Sequence, residues 1–111
     1  MSISEEDYEA RAYPELRALI AALDELELGG VESELSSDIL TIEVPGGGRY
    51  VVNSHRAARQ IWMAAERSAW HFDWDAEQNA WIAKKTGDEL WSTLSRVLSS
   101  KLGSSVALAR A

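Results

Sequence analysis

Six carboxylates in the first third of this chain have the residue type and spacing to do chemistry: Glu6, Asp7, Asp24, Glu25, Glu32 and Glu34. At about 100° per residue the first four fall away from the apolar stripe of a helix, so they are expected to be solvated. Glu32 and Glu34 share one face of a strand and could extend the same negative edge. Carboxylate oxygens are hard ligands, suited to hard cations and acceptable to Fe2+ or Fe3+. A preformed cage needs several converging ligands, usually with a histidine for Fe2+, and this half of the chain has none. Such a site is expected to be shallow, weak and open to competition from other divalent cations. A solvated face kept acidic for solubility explains the same residues. Like charges at helical spacing oppose folding by roughly 0.2–0.5 kcal/mol per pair. A cation or a basic partner would relieve that repulsion.

A second group has the chemistry of contact rather than coordination. Around Gln60-Ile-Trp-Met-Ala64, alternation places Gln60, Trp62 and Ala64 on one face of a strand and Ile61 and Met63 on the other. If the aliphatic pair is buried, Trp62 faces outward beside Gln60 and Asn53. Aromatic residues dominate binding hot spots, which makes Trp62 the leading contact residue; composition alone would favour a core tryptophan, and the alternation with Ile61 and Met63 favours exposure. Trp70, Trp74, Trp81 and Trp91 are assigned, with Phe72, to the core or its margin. His71 is expected on the face of Trp62, and His55 reads as a surface histidine without a role. The two histidines have no metal-ligand spacing and no nucleophile beside them, so general-base catalysis has little support. Gly46–Gly48 lacks the Lys-Ser/Thr of a phosphate loop and reads as a turn.

Composition removes further classes. The chain has no cysteine, which excludes disulfides, thiolate metal sites and cysteine nucleophiles. At 111 residues and 46% hydrophobic it is expected to form one domain, burying roughly 60–70% of its unfolded surface. No apolar run approaches the roughly 18 residues of a membrane span. The acidic start, Glu5-Glu-Asp7, speaks against a secretory or transit segment, so a bacterial cytoplasmic protein is expected. The net charge of −7 is unevenly spread. Residues 1–43 hold twelve acidic and two basic side chains, whereas residues 44–111 hold six acidic and nine basic. An acidic end attracts cations or a basic partner and repels nucleic acid.

The elements that must position these residues follow from periodicity. Ser4 before three carboxylates reads as a helix start, and Tyr8, Ala12, Leu16, Leu19, Leu23 and Leu26 form its apolar stripe. Pro14 is expected to kink or restart this helix near Tyr13, and Gly29-Gly30 to end it. Alternating runs then give about six strands: residues 31–36, 39–44, 49–53, 60–64, 70–74 and 80–84. Tight turns between them imply antiparallel pairing. Thr86-Gly-Asp-Glu89 fits a capping box that opens a second helix, with Gly103 placed to stop it. The tail from Ser104 to Ala111 is expected to be loose. The fold class is therefore α+β: a two-layer sandwich in which N- and C-terminal helices pack on one face of an antiparallel sheet. The opposite face is left bare, and a bare face with aromatics is an interaction surface.

The ordered segments LTIEV, RYVVN, QIWMA, WHFDW and AWIAKKTGDELWSTL, spanning Tyr8 to Gly103, resemble the frataxin family, specifically its bacterial CyaY type. The resemblance implies a frataxin-like α-β6-α fold and an iron-binding regulator of iron–sulfur cluster assembly. It implies weak binding of Fe2+ or Fe3+ on an acidic ridge, and docking on a cysteine desulfurase and its scaffold protein. By the same resemblance Asp24, Glu25, Glu32 and Glu34, with Glu6 and Asp7, form the cation edge, and Asn53, Gln60, Trp62 and His71 the sheet contact. A monomer that iron can drive into oligomers is implied. The chain departs from the family pattern at His55 and Ala57, where glutamine and proline are usual, and at Ala21 and Ala22, which are often acidic. Two other readings are a ferroxidase that stores iron and an acidic interaction module unrelated to iron. No Glu-x-x-His pair supports the di-iron centre of the first.

Overall fold

The computed structural model describes residues 3–110. The chain runs helix α1 (Glu5–Leu26), then strands β1 (Glu32–Ser36), β2 (Ile39–Val44), β3 (Gly48–His55), β4 (Gln60–Ala65), β5 (Ser68–Asp75), β6 (Ala80–Ala83) and β7 (Asp88–Glu89), then helix α2 (Leu90–Leu102). The strands form one antiparallel sheet in sequence order, each paired with its chain neighbour. The expected two-helix, one-sheet architecture is present, with seven strands rather than six. Among the described residues no helix is long and apolar enough to cross a membrane.

Alternation decides which face is covered. Leu40 and Ile42 of β2, Tyr50 and Val52 of β3, Ile61 and Met63 of β4, Phe72 of β5 and Trp81 of β6 are buried in one cluster. Tyr8, Ala12, Leu16, Leu19 and Leu23 of α1 and Leu90, Leu94 and Leu98 of α2 join the same cluster. Both helices therefore pack on a single face, and the residues between those core positions look outward.

Four local expectations are corrected. Helix α1 continues through Pro14 without the restart that is one of the two outcomes expected there. A proline inside a helix costs about 3 kcal/mol, but here buried Tyr8 and Ala12 before it and Leu16 and Leu19 after it pin both halves to one sheet. The helix also ends before the glycines, at Glu27 in a left-handed conformation (φ 48°), whose N–H bonds the Asp24 carbonyl. Helix α2 starts later than the capping box suggests. Asp88 and Glu89 are drawn into β7 opposite Ala83 and Ile82. Glu89 then caps the helix itself, accepting from the N–H groups of Trp91 (2.8 Å) and Ser92 (2.9 Å), while Thr86 bonds Asp88 in the turn.

The tail is packed, not loose. After Gly103 (φ 69°) the chain folds back along α2. Ser99 Oγ accepts from the Val106 N–H at 2.8 Å, and Ser95 Oγ from the Leu108 N–H at 2.9 Å. Val106 and Leu108 are buried, and Arg110 pairs with the buried Glu15 of α1, which also accepts from the Trp91 indole. Alternating apolar residues in a short tail carry little signal, and the receptors are two serines four apart, which no apolar spacing marks. Ala111 lies outside the described residues.

Two outcomes test this packing. Deleting residues 104–111 should lower the urea unfolding free energy by about 2–4 kcal/mol, the burial of two aliphatic side chains less the entropy of ordering them; an unchanged midpoint would contradict the docked tail. Burial raises the Tyr50 hydroxyl above its ordinary value of 10.0, aided by its bond to the Glu66 carboxylate, and burial raises Tyr8 as well. The unfolded chain ionises both phenols first, so stability should be full below pH 10 and fall as pH rises past it. Tyr50→Phe should flatten that alkaline loss, read by denaturation at stepped pH; an identical slope would contradict it.

Candidate functional site

Register turns the outward residues into rows across the sheet. Ser36, Ile39, Asn53, Trp62 and His71 lie side by side on β1 to β5. The next row runs His55, Gln60, Asp73, Ile82 and Glu89. Glu34, Thr41, Val51, Ala64 and Ala69 form the row on the other side of Trp62. A half-buried indole is thus flanked along its own strand by a small residue, Ala64, and a polar one, Gln60.

The indole is held between two imidazoles. His55 stacks on one side at 3.7 Å between ring centroids and 11° between planes, and His71 at 4.3 Å and 16°. Trp62 Nε1 donates to Gln60 Oε1 at 2.8 Å, and Gln60 Nε2 reaches both Asp73 carboxylate oxygens at 3.2–3.3 Å. His55 is also the cap of the short 3-10 turn Arg56–Ala58, its Nδ1 accepting from the Ala58 N–H at 3.3 Å. An accepting Nδ1 carries no proton, so the neutral ring keeps its proton on Nε2. The stack is therefore preorganised by direct cross-strand contact, diagonal contact and a cap. Of the residues expected on this face, Asn53, Gln60, Trp62 and His71 lie together. His55, read from sequence as a bystander, is a member of the stack. Ile39, the exposed aliphatic of the Trp62 row, and Asp73 were not singled out. The signal for Ile39 and Asp73 was available, since each falls on the outward parity of its strand, whereas His55 lies beyond the strand read over residues 49–53 and is placed by the register opposite Gln60.

The carboxylates divide into two groups. Glu6 and Asp7 sit in the first turn of α1, where Asp7 N–H bonds the Ser4 cap, and Asp24 and Glu25 sit in its last turn. Eighteen residues of helix separate Glu6 from Asp24, roughly 27 Å. The lower group meets β1, where the Ser33 hydroxyl donates to Asp24 Oδ1 at 3.2 Å. Glu32 and Glu34 alternate with Ser33, so they project from the other side of this edge strand, away from α1. Register places Glu43, absent from the sequence expectation, directly opposite Glu32, and Arg49 pairs with Glu43 at 3.4 Å. The edge is positioned by close approach: a Cβ on Gly30 (φ 75°) would lie 2.8 Å from Pro45 Cγ.

All six carboxylates are exposed, and among the described residues no three His, Asp or Glu side chains converge on a shared cation position. This arrangement suits a hydrated cation or a basic protein surface, held by one or two carboxylates at a time, and not a coordination cage.

The chain from residue 1 to 104 matches the frataxin-like domain model. It is 35% identical over 94 residues to the iron–sulfur cluster assembly protein CyaY of Thioalkalivibrio sulfidiphilus, covering 84% of this chain and 88% of that one. It is 33% identical over 86 residues to the mitochondrial frataxin of Arabidopsis thaliana, covering 77% of this chain and 46% of that protein. The frataxin structure from Psychromonas ingrahamii superposes with a TM-score of 0.86 at 18% identity, covering 97% of this chain and all of that one. Yeast frataxin superposes at 0.72 with 29% identity, covering 88% and 82%.

Because Trp62 stands outside the core, Trp62→Ala should cost under about 1.5 kcal/mol in urea denaturation, whereas Ile61→Ala next to it should cost about 2–5 kcal/mol. Equal losses would place the indole in the core and contradict the stack as a surface feature.

Proposed function

From the premise that the chain belongs to the frataxin-like family, on the side of its bacterial CyaY-type members, we propose that it is a non-enzymatic regulator of iron–sulfur cluster assembly in the bacterial cytoplasm. It binds Fe2+ or Fe3+ as cargo on its acidic surface and docks on the cysteine desulfurase and scaffold proteins that build the cluster. The observation that carries this reading is the preorganised His55–Trp62–His71 stack on a face that no helix covers.

The division of labour follows from charge and polarity. Asp24, Glu25, Glu32 and Glu34, with Glu43 beside them, supply the negative edge for a basic partner surface, which speeds encounter and makes it sensitive to salt. Asn53, Gln60, Trp62 and His71 supply the short-range contact with the scaffold, with His55 bracing the indole. An indole already fixed between two rings loses little rotamer freedom on binding, which favours affinity. Iron is held by exposed carboxylates with most of its water retained, so binding is weak and other divalent cations compete. The lower group, at the junction of α1 and β1, is the main locus, and Glu6 and Asp7 form a separate, weaker one. The free chain is a monomer, and iron bridging carboxylates of two copies accounts for any iron-driven oligomer.

Two measurements test the proposal. Binding to the desulfurase–scaffold complex should weaken steeply as salt rises from low to physiological ionic strength, and Trp62→Ala should weaken it a further ~30-fold, about 2 kcal/mol. Salt-indifferent binding would remove the electrostatic edge from the account, and an unaffected Trp62→Ala variant would remove the sheet contact. In an Fe2+ titration of labelled protein, amides of residues 23–34 should broaden first, and 5–9 only at higher iron. Broadening centred elsewhere would contradict the assignment.

A further inference from the structure

Strand β5 is longer than the neighbour that should cover it. It runs Ser68–Asp75, yet β6 pairs only with its end: Asp73 with Ile82, Trp74 with Trp81 and Asp75 with Ala80. β6 stops at Ala83, where the chain turns and the N–H groups of Thr86 and Gly87 both return to the Ala83 carbonyl. Among the described residues, Ser68–His71 is therefore paired with β4 on one side and with no strand on the other. Half of the backbone N–H and C=O groups along that overhang are free to bond an added strand.

We propose that this overhang receives a short, extended, acidic segment of a partner protein, added as a strand in line with β6. Space, polarity and charge each support it. A cleft of about 490 Å³ lies there, lined by Ser68, Trp70, His71, Lys84, Lys85 and Thr86 among others. The four-residue overhang spans about 14 Å, enough for an added strand of about four residues. Among the described residues Arg67, Lys84 and Lys85 have no carboxylate within ion-pair distance, and all three are exposed.

The acids nearby each have a hydrogen-bond partner, and Asp75, which bonds Gln78, also feels the charge of Lys84. Asp73 accepts from Gln60, and Asp88 accepts from the Trp70 indole and Thr86 and pairs with Arg96. Among the described residues this leaves Arg67 and Lys85 without an ion-pair partner around an open strand edge, with Lys84 lying between that edge and Asp75. Backbone bonds would supply affinity and the flanking cations the preference for glutamate or aspartate. Lysine beside an edge also discourages pairing with a second basic edge. His71 bounds the cleft on the outer face, so a bound segment would lie next to the Trp62 stack. The proposal rests on a different strand edge and on charges of opposite sign from the assembly reading above, and shares with it only Gln60 and His71 at the border of the cleft.

The probe is a capped hexapeptide alternating glutamate and valine, titrated into labelled full-length protein. Amide shifts should concentrate at residues 68–71 and 83–86. The double variant Lys84→Glu/Lys85→Glu should weaken binding about ten-fold or more, about 1.4 kcal/mol, with an unchanged fold by circular dichroism since both side chains are exposed. The same peptide N-methylated at alternate positions should lose binding comparably, which separates strand addition from charge adsorption. Shifts elsewhere, no binding at millimolar peptide, or equal binding of a lysine–valine peptide or the N-methylated peptide would each overturn the proposal. So would concentration-dependent shifts of these amides without peptide, which would assign the edge to a second copy of the chain.

Discussion

Period-two alternation against a sheet covered on one side is the constraint on which everything else in this molecule depends. Both helices bring their apolar stripes to the same face, and that choice assigns alternate residues of β2, β3 and β4 to the core. Ile61 and Met63 go in, so Gln60, Trp62 and Ala64 must come out. A one-residue slip of β4 would exchange the two sets, burying a glutamine and exposing two aliphatics. The outward aromatic stack is thus a consequence of core packing, fixed by the same register that gives the fold its stability.

The same constraint explains how the acidic side of the molecule is arranged. β1 is an edge strand with Ser33 turned toward α1 and Glu32 and Glu34 turned away. Carboxylates from a helix end and from an edge strand are brought to one border without pointing at one another. Repulsion among them stays low because all remain in water, and for the same reason none is positioned to enclose a cation. A border of this kind favours long-range attraction over coordination, which suits reversible docking on a basic surface and loose holding of a metal ion.

Much of the fold was legible in the sequence because it rests on periodicity. Helix α1, the first six strands and the outward parity of Trp62 all follow from apolar spacing. The misreadings share a cause: local signals were overridden by tertiary contacts. Thr86 carries the capping pattern, but strand pairing at Asp88 and Glu89 moves the cap to Glu89. Pro14 carries the breaking signal, but packing on both sides keeps the helix whole. The tail needs Ser95, Ser99 and Glu15 as receptors, and nothing local identifies them. In the site, Trp62 was readable from one strand, whereas His55 and Glu43 needed the register between strands. Separating the two carboxylate groups needed the length of α1.

The central claim is that the uncovered sheet face, with its fixed indole, is the surface this chain presents to the assembly machinery. Hydrogen exchange, compared for the chain alone and bound to the desulfurase–scaffold complex, tests it most directly. The account predicts new protection along β1 and through the strands carrying Asn53, Trp62 and His71, with the amides of α2 unchanged. Protection confined to the two helices, with the sheet exchanging as in the free chain, would contradict it.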